Sequence, residues 1–285
     1  MLGHTLWRLS SQRHDTYGTL RLDLASARWG RFFDAHRVVE GVAADDVDSV
    51  VRAVALAKPD VVVNCIGIIK QRPSAQDPVA SIGVNALFPH RLARLCRARG
   101  SRLIHISTDC VFSGSRGRYT EHDVADAADL YGRSKLLGEV DEVDCITLRT
   151  SIIGRELAGS FGLLEWFLDQ RGKAVRGYRR ALFSGLTTPA FAALILSLIE
   201  AHPDLSGVWH VASAPISKYD LLCAIRDALA LDISIEPDDS LVVDRTLDDS
   251  RFRVRTGLPV PTWAEMIEPL AYEETPYDSL RGAPG

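Results

Sequence analysis

With 285 residues, 46% of them apolar and 25% charged, the chain has enough nonpolar material for one large core or a core with a cap. Its net charge of -4 provides no broad basic field for nucleic acid, so an anionic ligand must be met by local arginines. No apolar run reaches the ~18 residues of a membrane helix and the first ten residues lack a signal-peptide core, so the expected location is the cytoplasm, away from membranes.

Helical and strand patterns alternate through the first two-thirds of the chain. A helix over residues 3–14 leads to a strand over 16–21, and a short strand at Val38 and Val39 precedes a helix over 45–57. A strand over 60–64, a helix over 78–99, a strand over 102–107, a helix carrying Tyr131 and a strand over 145–150 follow. Continuous Val/Ile/Leu runs of this kind suit strands buried on both faces, and the fold class is α/β: a doubly wound, Rossmann-like parallel sheet with a smaller C-terminal substrate-binding cap. Residues 1–155 are expected to form the doubly wound core and 156–285 mainly the cap, with about 186–213 returning to the core. That second part reads as a helix over 161–170, the basic run Arg176 to Arg180, a helix over 189–201 and a strand over 207–212. A helix over 218–230, an acidic loop over 236–239 and a helix after Pro261 complete it, and the last dozen residues read as a frayed tail.

Five cysteines, at positions 65, 96, 110, 145 and 223, show no C-x-x-C pair and no histidine at metal spacing. They read as buried reduced thiols, and no metal site is expected.

The chemistry concentrates in two places. Ser107 and Thr108 stand at the carboxyl end of an apolar strand, where ligands bind in open α/β sheets, and Thr108 can grip a substrate oxygen. Tyr131 and Lys135 are four residues apart, hence on one helical face, so the Lys135 ammonium can lie below the Tyr131 phenol and favour its ionised form. A phenol that titrates near ~10 in water needs such a cation to act as acid or base near neutrality.

The ordered set Ser107-Thr-Asp109-Cys110-Val-Phe-Ser113-Gly114, Tyr119-Thr-Glu121 and Tyr131-Gly-Arg-Ser-Lys135-Leu-Leu-Gly138-Glu139 resembles the extended short-chain dehydrogenases/reductases. Within them it is similar to the dTDP-4-dehydrorhamnose reductase group of sugar-nucleotide reductases, a likeness that continues through Arg149-Thr150-Ser151 and weakly into Arg245 to Phe252. The resemblance implies reduction of a keto group on a nucleoside-diphosphate sugar, with Thr108, Tyr131 and Lys135 catalytic. It implies cofactor contacts from Leu2, Gly3, Arg21, Cys65, Ile66, Gly67, Asn85, Ser107, Tyr131 and Lys135, and substrate contacts from Thr108, Asp109, Thr150 and Arg245. Arg176, Arg179, Arg180 and Arg251 are further candidates for the diphosphate, and Trp166 and Phe183 for the base. Relatives often pair as homodimers. No acidic residue stands at the end of the 16–21 strand and Arg21 can meet a 2′-phosphate, so NADP(H) is preferred, with NAD(H) the alternative.

One part of the family pattern is absent. Met1-Leu2-Gly3-His4 matches only the end of the glycine-rich motif that holds the dinucleotide pyrophosphate, without the first strand or the first two glycines. The expectation is a start codon assigned too far downstream, or a truncated protein that binds cofactor poorly; loss of a central strand would leave two open sheet edges. Cys110 replaces the tyrosine usual in the rhamnose-pathway reductases. An epimerase or dehydratase, and a non-catalytic dinucleotide-binding regulatory subunit, are the alternative functions.

Overall fold

The computed structural model describes residues 1–27, 29–273 and 275–281. The amphipathic helix α1 (Leu2–Ser10) buries Leu2 and Leu6, and after a loop the chain forms a short parallel pair, β1 (Gly18–Thr19) with β2 (Val38–Val39). Helix α2 (Val47–Ala57) begins at Asp46, whose carboxylate accepts from the Ser49 amide, and ends at Lys58 in the left-handed region. Next come β3 (Val61–Asn64), the helical run α3 (Pro78–Ser81), a π-helical stretch over Ile82–Leu87 and α4 (Phe88–Arg99). Then follow β4 (Arg102–Thr108), α5 (Leu130–Leu137), β5 (Cys145–Thr150), β6 (Ile152–Ile153), α6 (Leu163–Leu168), β7 (Lys173–Tyr178), β8 (Ala181–Phe183) and β9 (Leu186–Thr187). The rest is α7 (Thr188–Ala201), β10 (Gly207–His210), β11 (Ile216–Ser217), α8 (Lys218–Ala228), β12 (Ile233–Asp238), β13 (Val243–Asp244), α9 (Ser250–Thr256), α10 (Trp263–Ile267) and α11 (Tyr277–Arg281).

The main sheet is parallel, in the order β10-β5-β4-β3. Alternate residues serve opposite faces: Ile104, Ile146 and Leu148 join α1 and α7 in the larger core, while Leu103 and Cys145 pack with α2 and α4. A sheet covered on both faces explains why these strands read as unbroken apolar runs. Strand β3 pairs with β4 alone and β1 with β2 alone, so the sheet is divided where two open edges were expected. The smaller sheets, β7 with β12 and β8 with β11 and β13, pack against α8 through Leu221, Leu222 and Ile225.

Several expected elements differ. The strand expected over 16–21 shrinks to two residues and the helix over 3–14 stops at Ser10, where a turn through residues 11–14 takes over. The acidic loop over 236–239 is largely strand β12, because Ile233 and Ile235 alternate inward while Ser234 and Glu236 face out. The expected frayed tail contains α11, anchored by Tyr277 and Leu280, each 3% exposed, and by a 2.9 Å bond between His4 Nε2 and the Tyr277 hydroxyl. Its last four residues, and Glu274, lie outside the described residues. Cys96 and Cys145 are buried as expected, but Cys110 and Cys223 are only half-buried and Cys65 is exposed.

Candidate active site

Strand β4 places Thr108 at its carboxyl end, in register with Thr150 of β5. The chain then turns through a 3-10 segment in which Thr108 Oγ1 accepts from the Cys110 amide at 3.1 Å and donates to Asp109 Oδ1 at 3.2 Å. Helix α5 begins opposite this turn, capped by Asp129, whose carboxylate accepts from the Gly132 amide at 2.8 Å. Two glycines allow the helix to come so near: a Cβ on Gly132 would lie 2.2 Å from the Cys110 carbonyl oxygen, and one on Gly138 1.9 Å from the Asn85 carbonyl oxygen. The result is a Tyr131 phenol near enough to Thr108 for that side chain to act on its titration.

Lys135, one turn on, is 5% exposed and donates through Nζ to the Ile106 carbonyl at 2.7 Å. Burial lowers its pKa to about 8, against the opposing pull of Glu139. The expected ionised Tyr131 is not what this geometry produces. Burial raises the phenol above its ordinary value, the nearby Cys110 adds to that, and the Thr108 side chain only partly opposes it. The Lys135 ammonium is turned to a backbone carbonyl instead of the phenol.

A buried ionic network lies beneath. Arg149 makes paired bonds to Glu139, 2.8 Å from Nε and 2.7 Å from Nη2, and lies 3.3 Å from His210 Nε2 through Nη1. Ser107 Oγ donates to Glu139 at 2.6 Å. These contacts tie β4, β5 and β10 to the residue just beyond α5. Ser107, expected at the cofactor, is engaged in this network.

Beside Lys135, Cys65, Ile66 and Gly67 leave β3 as an exposed groove floor, and a Cβ on Gly67 would lie 4.0 Å from Lys135 Nζ. The Cys65 thiol is crowded by protein, which pushes its pKa up to about 12, yet the residue remains open to solvent along the groove. Asn85 sits in the π-helical stretch and is 1% exposed. Its carboxamide accepts from the Ile68 amide at 2.8 Å and donates to the Ile68 carbonyl and Ser134 Oγ, so it pins the groove wall to α5. Gly3 is exposed, and a Cβ built on it would lie 3.7 Å from Cys65 Cβ, while the Leu2 side chain is in the core. Arg21 is exposed and makes no ion pair among the described residues. An open floor of Cys65, Ile66 and Gly67, next to a lysine and a phenol, fits the nicotinamide-ribose half of a dinucleotide.

On the opposite side, Asp109 is 6% exposed and burial raises its pKa, against the pull of Lys218 and Arg245. Arg245 donates through Nε to the Phe112 carbonyl at 2.9 Å. Thr150, 3% exposed, donates to the Ser151 carbonyl. Other arginine candidates are engaged with acids: Arg176 with Asp238, Arg179 with Asp239, and Arg251 with Glu121. Phe183 is a core residue 5.4 Å from the Trp263 ring, and Trp166 on α6 is partly exposed. Lys218, the first residue of α8, was missed by the sequence reading, because nothing local separates it from a surface lysine at a helix start.

The model of the RmlD substrate binding domain matches residues 2–268. The dTDP-4-dehydrorhamnose reductase of Mycolicibacterium smegmatis is 30% identical over 66% of this chain, which spans 59% of that relative's length. The probable low-salt glycan biosynthesis reductase of Haloferax volcanii is 29% identical over 82% of this chain and 84% of its own. Methionine adenosyltransferase 2 subunit beta of Mus musculus is 27% identical over 74% and 72%. Among solved structures, dTDP-4-dehydrorhamnose reductase from Bacillus anthracis in complex with NADP superposes with a TM-score of 0.71 at 18% identity, covering 89% of this chain and 98% of that one. With the match to the family model running through the strand end, the tyrosine helix and the cap, this chain belongs to the RmlD substrate binding domain family, within the extended short-chain dehydrogenases/reductases.

Proposed function

We propose that the protein reduces a keto group on a nucleotide-linked sugar with a nicotinamide dinucleotide, as its dTDP-4-dehydrorhamnose reductase relatives are named for doing. The observation that carries this reading is the packing of helix α5, with Tyr131 and Lys135, against the strand end that bears Thr108, beside the open Cys65 to Gly67 segment. When bound, the reduced cofactor supplies hydride to the carbonyl carbon.

Tyr131 gives its phenolic proton to the carbonyl oxygen, and a raised pKa keeps that proton in place at neutral pH. Thr108, whose hydroxyl donates to Asp109 in this structure, turns that hydrogen toward the substrate oxygen. Lys135 holds the nicotinamide ribose hydroxyls. The free guanidinium of Arg21 supports NADP(H) over NAD(H), and Arg245 supplies a cation for the diphosphate. No helix among the described residues is long and apolar enough to cross a membrane, and the reading carries with it the expectation of a cytoplasmic homodimer.

Purified full-length protein should oxidise NADPH when given dTDP-4-dehydrorhamnose, followed by loss of absorbance. Product formed without net NADPH consumption would select an epimerase or dehydratase. Similarity to methionine adenosyltransferase 2 subunit beta supports a second reading, a dinucleotide-binding regulatory subunit. Cofactor binding with no turnover on any sugar nucleotide would select that one.

A further inference from the structure

His105 stands in the middle of β4, 0% exposed, in register with Asn64 of β3 and Thr147 of β5. Its Nδ1 lies 3.1 Å from Asn64 Nδ2, and Asn64 Oδ1 accepts from the Ile66 amide at 3.1 Å. A backbone N–H can only donate, so the carboxamide oxygen must face Ile66, its nitrogen must donate to the ring, and Nδ1 must be the acceptor. Burial holds the ring well below the usual histidine range, so it is neutral and its one hydrogen sits on Nε2. That hydrogen has no acceptor among the described residues; Thr147 Oγ1, the polar neighbour across β5, donates to the Val140 carbonyl at 2.8 Å.

A histidine kept only to fill the core would carry an unpaired donor that an apolar side chain of similar size avoids. What the ring supplies is the acceptor at Nδ1, and what that acceptor serves is the segment after β3. Asn64 holds Ile66 from one side, and Asn85 holds Ile68 from the other through both its amide and its carbonyl, at 2.8 and 3.0 Å. Between them the Gly67 amide makes no hydrogen bond with any described residue, and a Cβ on Gly67 would lie 4.0 Å from Lys135 Nζ. Asn85 is backed by Ser134 of α5, whereas Asn64 is backed, among the described residues, by His105 alone.

We propose that His105 is a positioning residue of the cofactor groove: its Nδ1 orients Asn64, Asn64 fixes the Ile66 amide, and the Gly67 peptide is thereby set beside Lys135 for the dinucleotide to lie on. The proposal rests on the reductase reading above and extends it to a buried side chain that touches neither cofactor nor substrate.

The test is calorimetric binding of NADPH and NADH to the wild-type protein, His105→Leu, His105→Asn and His105→Gln, with thermal melts of each and ring-nitrogen NMR of the wild type. His105→Leu is expected to weaken NADPH by about fivefold, the weight of one neutral hydrogen bond, with little change in melting temperature, because an unpaired ring donor leaves as the Asn64 donor loses its partner. His105→Asn keeps an acceptor at the δ position and recovers most of the affinity; His105→Gln, whose acceptor lies one bond farther out, does not. The wild-type ring should carry its hydrogen on Nε2. A leucine variant that binds as the wild type does, an asparagine variant no better than glutamine, affinity losses that follow melting temperature across the three variants, or a ring hydrogen on Nδ1 would each overturn the proposal. Should His105→Leu fail to fold, the contrast between asparagine and glutamine decides by itself. A wild-type protein that binds neither dinucleotide would overturn the reductase reading and this proposal with it.

Discussion

Replacement of Glu139 by glutamine probes the buried network and the site at once. The Glu139 and Arg149 side chains are 7% and 8% exposed, and the carboxylate accepts two arginine bonds and one from Ser107. Removing one charge of such a pair leaves the other desolvated and uncompensated, a loss of about 3–5 kcal/mol. At ~2.1 cal/mol/K of unfolding entropy per residue, this chain would melt about 5–8 °C lower. Glu139 also raises the Lys135 pKa, so without it the ammonium is lost below the present value of about 8. Urea unfolding should therefore show the stability loss, and the alkaline limb of the reductase pH profile should move to lower pH. Adding Arg149→Met should restore part of the stability, since the orphaned cation is gone. A single variant that loses less than about 1 kcal/mol, the worth of an exposed pair, with an unmoved alkaline limb, would refute the reasoning.

Burial holds Lys218 at about 8 in the folded chain against 10.5 when exposed, so below about pH 8 it is protonated in both states and its penalty is fully felt. Between those values the unfolded chain holds more protons and the penalty fades; the wild-type deficit relative to Lys218→Met, at most about 3 kcal/mol at neutral pH, should narrow in urea titrations from about pH 8 to 10.5. Gly132→Ala forces a methyl into the Cys110 carbonyl and should lower both kcat and melting temperature, whereas Gly83→Ala, which meets nothing within 4 Å, should do neither. Tyr277→Phe removes the bond to His4 and should cost about 1 kcal/mol in chemical denaturation while leaving NADPH binding intact.

Strands β4 and β5 were legible because both of their faces are buried, and β3 because its valines are half-buried on both, which writes the strand into the residues themselves. Tyr131 and Lys135 were legible by spacing and by the motifs around them. Where the lysine ammonium points was not: it depends on the Ile106 carbonyl, brought over by the packing of α5 on β4. Strand β12 was hidden because its outward acidic residues look like a loop, and only pairing with β7 makes Ile233 and Ile235 the inward set. The burial of α11 depends on His4, at the opposite end of the chain, and no local pattern carries that contact. Lys218 was invisible for the same reason, since its environment comes from Phe183 and the turn after β4 rather than from its neighbours in α8.

Single-turnover NADPH oxidation by Tyr131→Phe, with a 4-keto-6-deoxy sugar nucleotide and both ligands at saturating concentration, is the most direct trial of the assigned proton donor. The rate should fall by ~10²–10⁴ while the dissociation constants of both ligands hold. A phenylalanine variant that turns over as fast as the wild type would contradict the account.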